Sequence, residues 1–186
     1  MRSFVAMARA KPDGLNYGST GVGSAGHFIG ELFRKQAGIQ KLVHVPFRGA
    51  APLAQELLGG RIDFSMASVS SVMAHIEVGN LRALGTASAT RSPNFPQLPT
   101  FTELGIDGVA ADAWFTLFVP SGTAQSTIDK LYDGISKVFA RDDVKQSIIA
   151  QGVLPMVRPG KEIAQELPAE IARWAAVAKE AGMKLE

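Results

Sequence analysis

The sequence predicts an α/β fold: a parallel sheet wrapped by helices, followed by a helical C-terminal tail. Three observations carry the prediction. Short apolar, β-prone segments alternate with amphipathic helical segments over residues 15–88. Each would-be strand runs into a loop of small and hydroxyl residues, at Gly18–Ser24, Pro46–Ala50, Ala67–Ser71 and Thr86–Thr90. These loops would share the carboxyl edge of a parallel sheet, where such sheets bind ligands. From Ala124 onward only helical periodicity remains.

The elements follow in order. Met1–Lys11 reads as an amphipathic helix with Phe4, Met7 and Ala8 on one face, stopped by Pro12-Asp13-Gly14. Leu15–Gly18 is a first strand. Gly23 to about Ala37 is a helix with Phe28, Ile29, Leu32 and Phe33 on one face, ended by Gly38. Lys41–Phe47 is a second strand. Ala51–Leu58 is a short helix with Pro52 in its first turn, stopped by Gly59-Gly60. Ile62–Ala67 is a third strand; Ser68 or Ser70 caps a helix over Val72 to about Val78, and Leu81–Ser88 is a fourth strand. Three prolines in Arg91–Pro99 mark a loop or edge segment, and Thr100 caps a short helix to Leu104. Val109–Val119 is apolar and β-prone and carries Trp114, Phe115 and Phe118, with Trp114 and Phe115 assigned to core or to a ligand cleft. Helices over Ala124–Ala140, Asp142–Gln151 and Gly160–Ala181 close the chain, the last kinked or broken at Pro168.

Bulk composition removes several function classes. The chain has 186 residues with 46% hydrophobic and 19% charged, enough apolar material for a core. Its 19 basic and 17 acidic side chains are interspersed and give a net charge of +2, so nothing points to nucleic acid. It has no cysteine, which excludes thiol nucleophiles and disulfides and leaves the compartment open. No apolar run approaches the length of a membrane span, and no basic, apolar and small-residue signal segment opens the sequence. A chain that starts inside a helix has the look of a fragment or an internal start.

The segment Leu15–Phe28 carries the strongest local signal. A strand feeds a glycine-rich turn at a helix N-terminus, where free amides and the helix dipole favour an anion. Gly21-Val22-Gly23-Ser24-Ala25-Gly26 matches the dinucleotide fingerprint. That fingerprint also needs an acid after the second strand, and this chain has Pro46-Phe47-Arg48 there. A small carboxylate therefore fits the loop better than a nicotinamide cofactor, with a glycine turn of packing duty alone as the remaining reading. His27, in the first turn of that helix, faces the ligand or is packed. His44 lies inside a strand and is structural, His75 lies on an exposed helix face, and the three histidines lack the acidic neighbours of a zinc site. Gly-x-Ser-x-Gly spacing is missed at both Ser19 and Ser24. Asp63 starts a strand at the far edge of the sheet and holds a neighbouring loop, while Asp112 is a pocket or hinge residue. A rim rich in donors and poor in acids and bases describes a binding site, with no catalytic residue, no metal and no cofactor.

A longer series of residues makes a family visible. It runs Tyr17–Ser24, Val43–Gly49, Leu57–Asp63, Gly79–Leu84, Arg91-Ser92-Pro93, Leu98-Pro99-Thr100 and Trp114–Thr123. This series resembles the solute-binding receptors of tripartite tricarboxylate transporters, the Bug-type periplasmic proteins, over essentially the whole chain. The resemblance implies a type II periplasmic-binding-protein-like "Venus flytrap" that closes over small organic acids and passes them to membrane permease subunits. It implies a periplasmic location and a non-enzymatic role. The ligand contacts it implies are Ser19, Thr20, Gly21, Gly23, Ser24 and His27 on the first loop. Arg48, Gly49 and Ala50 follow on the second, and Ala67 and Ser68 on the third; Ala67 stands where relatives often carry a polar or acidic residue. Family members are longer, with a signal peptide and most of one lobe ahead of the point where this chain begins. The implied division is a partial helix at 1–13, a ligand-binding α/β lobe at 14–113, and at 114–186 a hinge strand and helical tail completing the other lobe. Apolar faces on that tail predict a homodimer. The rivals are an effector-binding domain of a regulator, for which no DNA-reading helix-turn-helix precedes Leu15, and an NAD(P)-binding enzyme domain.

Overall fold

The computed structural model describes residues 2–112 and 114–183. They form two compact units: residues 1–113 together with 174–186, and residues 114–173.

The first unit is built on a parallel three-stranded sheet of β1 (Leu15–Ser19), β2 (Leu42–Pro46) and β3 (Phe64–Ser65), in the order β2-β1-β3. β1 pairs with β2 from Leu15↔Leu42 to Ser19↔Pro46, and with β3 at Tyr17↔Phe64 and Gly18↔Ser65. Helix α1 spans Arg2–Ala10, α2 Ala25–Gln36, α3 Ala50–Leu58 and α4 Val69–Glu77. Successive strand residues point to opposite faces, and β1 shows why two helices can flank it. On one side the ring of Tyr17 lies against Gly30 of α2; on the other, Gly18 leaves room for Leu53 of α3 and for Ile62. The register then sets His44, Tyr17 and Phe64 side by side beneath α2. Ring centroids in that row are 4.9 and 5.7 Å apart.

Apolar residues of α1, β1, α2, β3 and the segment 101–109 close one core, with Tyr17, Phe33 and Val109 among its fully buried members. Phe4 of α1 packs edge-on against Phe64. Of the predicted face of α1, Phe4 and Ala8 pack on the core, whereas Met7 is 51% exposed and Val5 is buried in its place. The last turns of the C-terminal helix belong to this unit. There Trp174 meets Phe28 edge-on at 5.4 Å, and Glu180 pairs with Lys35.

Asp63 has the loop-holding role read from its position. Its carboxylate accepts from the Asn16 amide at 2.8 Å and from Lys11 Nζ at 3.1 Å, while Asn16 Oδ1 accepts from the Asp63 amide at 2.7 Å. This reciprocal pair ties the start of β1 to the start of β3. Asp63→Ala is expected to cost about 1 kcal/mol of stability, measured by urea unfolding, with Asp63→Asn losing less because it keeps an acceptor.

Two expected strands are absent among the described residues. Over 81–88 the chain makes a single parallel bridge, Thr86↔Thr100. Its backbone groups are taken by its own downstream chain: Thr86 exchanges bonds with Pro99 and Phe101, and Ala87 accepts from Ala111. A fourth ladder on β3, which is two residues long, has no room to propagate. Of the stretch 109–119, Ala113 lies outside the described residues and the others form no strand. Val109 is core, but Trp114, Phe115, Leu117 and Phe118 are exposed, Phe115 to 94%. High β-propensity yields a strand only where a partner edge exists. His75, predicted to be exposed, is half-buried. Thr100 does cap the short 3₁₀ turn Thr102–Leu104: its hydroxyl accepts from the Glu103 amide, and Glu103 accepts from the Thr100 amide.

The second unit holds α5 (Gln125–Ala140), α6 (Asp142–Ala150) and the first part of α7 (Gly160–Ala181). α7 runs through Pro168 without a break. Arg158 forms ion pairs with Glu162 and Glu166 of its first turns. No described side chain from Trp114 to Arg173 is buried.

Candidate functional site

The site is built where the three strands end. Phe47 N–H donates to Ser19 O at 2.9 Å, so the loop after β2 runs against the end of β1. A Cβ placed on Gly21 would lie 3.6 Å from Phe47 O, and one on Gly26 would lie 2.4 Å from Met66 O. All three loops therefore meet around residues 19–26. The connection after β1 leads to one side of the sheet and the connection after β2 crosses to the other. The crevice between the ends of β1 and β3 is thus the topological switch point, where open parallel sheets take their ligands.

The helices that start there share an electrostatic feature. α2, α3 and α4 begin just after β1, β2 and β3, and none has an acidic residue in its first turn. No acidic side chain in their own first turns offsets their positive ends. Ser24 caps α2, its hydroxyl accepting from the His27 amide at 3.3 Å; the amides of Ala25 and Gly26 have no partner within the helix. Arg48 is exposed on the neighbouring loop.

The glycines of the fingerprint-like run are explained by this geometry. Gly23 has φ +74° and Gly21 φ +138°, a backbone region that disfavours a side chain. Gly26 lets α2 approach the Met66 carbonyl. Turn and close packing account for all three positions, and at the end of β2 the ribose-binding acid of a dinucleotide site is replaced by Pro46, Phe47 and Arg48. Among the described residues no group of three His, Cys, Asp or Glu side chains could hold a metal ion.

A buried polar cluster lies behind the loop. Ser19 is fully buried, with Oγ 2.7 Å from His44 Nε2, 3.2 Å from Ser24 Oγ, 3.2 Å from Gly21 N and 2.9 Å from Gly21 O. His27 is also buried; its Nδ1 accepts from the Gly23 amide at 3.2 Å, and its ring stacks on His44 with centroids 3.8 Å apart. Burial pushes the His27 pKa down against a small opposing pull from Glu31. Burial, and then the neighbouring His27, push His44 down to about 4. Burial and the Glu31 carboxylate raise the Tyr17 phenol, whose hydroxyl lies 3.0 Å from Glu31 Oε1 and 3.2 Å from His27 O.

These features, a carboxyl-edge loop cluster with acid-free helix N-termini, coincide with a sequence match over nearly the whole chain. The pattern described as "Tripartite tricarboxylate transporter family receptor" matches residues 1–183. The chain belongs to this receptor family. Protein BugT of Bordetella pertussis is 33% identical to this chain over 184 residues, which are 99% of the chain and 56% of BugT. The R. palustris protein Rpa4515, solved with adipate, superposes with a TM-score of 0.91 at 31% identity, covering 98% of this chain and 61% of that one. MatC of Rhodopseudomonas palustris, solved with bound malate, gives 0.83 at 28% identity, covering 95% and 61%. This receptor-family chain thus spans between half and two thirds of the length of these relatives.

Within the receptor chain the predicted ligand residues fall into two groups. Thr20, Gly23, Arg48 and Ser68 are exposed at the carboxyl edge, with Gly21, Ser24, Gly49, Ala50 and Ala67 half-buried beside them. Ser19 and His27 lie underneath, with their polar atoms engaged inside the protein. His44 and Tyr17 join that underlying cluster and were not among the predicted site residues. Strand alternation held the signal: His44 sits two residues before the end of β2, directly opposite Tyr17.

Proposed function

We propose that this chain grips a small organic carboxylate for a tripartite tricarboxylate-type transporter and does no chemistry on it. The observation that carries the reading is the convergence of three acid-free helix N-termini at one sheet edge. The dicarboxylates seen with two structural neighbours, adipate and malate, support it. In this reading the loops at Ser19–Ser24, Arg48–Ala50 and Ala67–Ser68 hold one carboxylate, within a lobe built on residues 14–113 and joined by the last turns of α7, and residues 114–173 serve the other lobe. The receptor works in the periplasm and hands its solute to the permease subunits. Among the described residues no helix is long and apolar enough to cross a membrane.

Thermal denaturation with adipate, malate, a tricarboxylate, NAD and NADP tests the reading. A carboxylate at ten times its Kd is expected to stabilise the chain by about 1.4 kcal/mol. Arg48→Ala is expected to weaken that carboxylate about tenfold, through loss of a charge-assisted contact. Stabilisation by NAD or NADP alone, or by none of these compounds, overturns the proposal. The exposed Trp114–Phe118 run supports self-association of this chain, and a monodisperse monomer in light scattering overturns that part.

A further inference from the structure

We propose that His27 and His44 are positioning residues of the carboxylate loop: a stacked pair of uncharged rings that holds Gly21 and Gly23 in the conformation presented to the ligand. The inference rests on the carboxylate-binding reading of that loop and assigns these two side chains a place beneath it. His27 is 7% exposed, and His44 is half-buried between His27 and Tyr17. The two rings are nearly parallel, with an interplanar angle of 9°.

Their nitrogens face the underside of the loop. Gly23 N–H donates to His27 Nδ1, which requires a lone pair on that nitrogen and puts the ring proton on Nε2. A second proton would set an N–H at Nδ1 against the Gly23 N–H, donor facing donor. His44 acts through Ser19. The Ser19 hydroxyl has one hydrogen and two lone pairs. Gly21 N–H and Ser24 O–H fill the lone pairs, and the hydrogen goes to His44 Nε2, the nearest partner at 2.7 Å. A proton on Nε2 would turn the Ser19 O–H toward Gly21 O, 2.9 Å away, and leave three donors on two lone pairs. Protonation of His27 therefore breaks the bond to the Gly23 amide, and protonation of His44 puts the Gly21 amide in competition with the Ser24 hydroxyl for Ser19 Oγ; both glycines have φ in the left-handed half of the map. Two cationic rings 3.8 Å apart would also repel.

The groups facing the pair are few. α2 contributes Glu31, whose carboxylate is paired with Arg34 at 2.8 Å and with the Tyr17 hydroxyl of β1. β2 and β3 carry no charged side chain. Glu31 favours the charged rings; burial and the loop hydrogen bonds favour the uncharged ones.

The test compares variants that keep the ring but lose the nitrogen with variants that keep an acceptor. His27→Phe preserves stacking without Nδ1, and His27→Asn places an amide oxygen near Nδ1; His44→Phe and His44→Gln do the same for Nε2. Amide hydrogen exchange is read by NMR on the full 186-residue chain. His27→Phe is expected to speed exchange at Gly23 about tenfold and His44→Phe at Gly21, with Asn and Gln restoring protection. In parallel, the phenylalanine variants are expected to weaken adipate about tenfold and the amide variants to recover it. In the unaltered chain the Gly23 amide shift is expected to follow the titration of His27. Unchanged exchange in the phenylalanine variants, equal loss in the Phe and Asn variants, or a Gly23 shift that ignores the His27 titration overturns the proposal. If the unaltered chain binds no dicarboxylate, the ligand reading fails, and the exchange data still decide whether the histidines position the loop.

Discussion

Gly30→Ala is expected to destabilise the first unit by about 3 kcal/mol. The new Cβ would lie 2.1 Å from the Tyr17 ring and 2.8 Å from its hydroxyl oxygen. That ring cannot retreat: it is fully buried, with Phe64 and His44 on its flanks and its hydroxyl on Glu31 and the His27 carbonyl. Overpacking a filled core costs about 1–3 kcal/mol, and pulling a buried hydroxyl off its partners adds roughly 1–3 kcal/mol. The alternative is for α2 to lift from β1, which would carry the Ser24 cap and the whole 19–24 loop with it. Thermal or urea unfolding followed by Trp174 fluorescence in a Trp114→Phe background reads the loss in this unit. Shrinking Tyr17 to leucine should relieve part of it, so the double variant Gly30→Ala/Tyr17→Leu should be less damaged than the sum of the single changes. A melting point unchanged within error in Gly30→Ala would show that the helix slides freely on the strand and would overturn the packing argument.

That contact illustrates which parts of the fold are legible in the chain. Helical periodicity and glycine stops locate α2 and α3 to within a residue or two, and periodicity locates α5, whose N-cap residue makes no side-chain hydrogen bond. Parallel pairing of β1 and β2 followed from the alternation of element types. Strand length did not follow. Leu81–Ser88 has the composition of a strand, yet its hydrogen bonds go to Pro99, Phe101 and Ala111, partners whose positions depend on a chain reversal that local composition does not encode. Pro168 behaved similarly. A proline is read as a kink or a break; the break does not occur, since Pro removes one amide and the rest of the ladder carries the helix.

The candidate site was legible in its outline and not in its layers. Small residues mark the carboxyl ends of the strands because tight turns and close backbone approach need them there. Which hydroxyls face outward could not be read from a run as dense as Gly18–Ser24. Ser19 is the last residue of β1 and points under the loop, whereas Thr20, one residue on, is exposed. His44 reads from the sequence as a structural strand residue, and it is packed; its link to the loop runs through Ser19, a contact made across two strands.

The histidine pair makes stability depend on pH in a definite direction. His44 is held down to about 4 from its ordinary 6.5 by burial and by its neighbour, and His27 is lowered by burial. The unfolded chain takes up protons at its ordinary histidine pKa, while the folded chain resists them. Protonation therefore favours unfolding between those two values. The stabilising effect is complete above pH 6.5 and is lost as pH falls toward 4. With allowance for solvent around a half-buried ring, the loss from His44 between pH 7.5 and 5 is expected to be about 1 kcal/mol. Carboxylates held low by arginine partners, such as Glu103 beside Arg91 and Glu166 beside Arg158, lose their own contribution only at lower pH. The window above pH 5 is thus dominated by the histidines. His44→Gln removes one titrating ring while keeping an acceptor for Ser19, so its stability should decline less steeply over that window than that of the unaltered chain, with His27 supplying the remaining slope. A variant that declines as steeply as the parent, or a His44 C2 proton that titrates at the ordinary value in NMR, would show that the buried pair does not store this linkage.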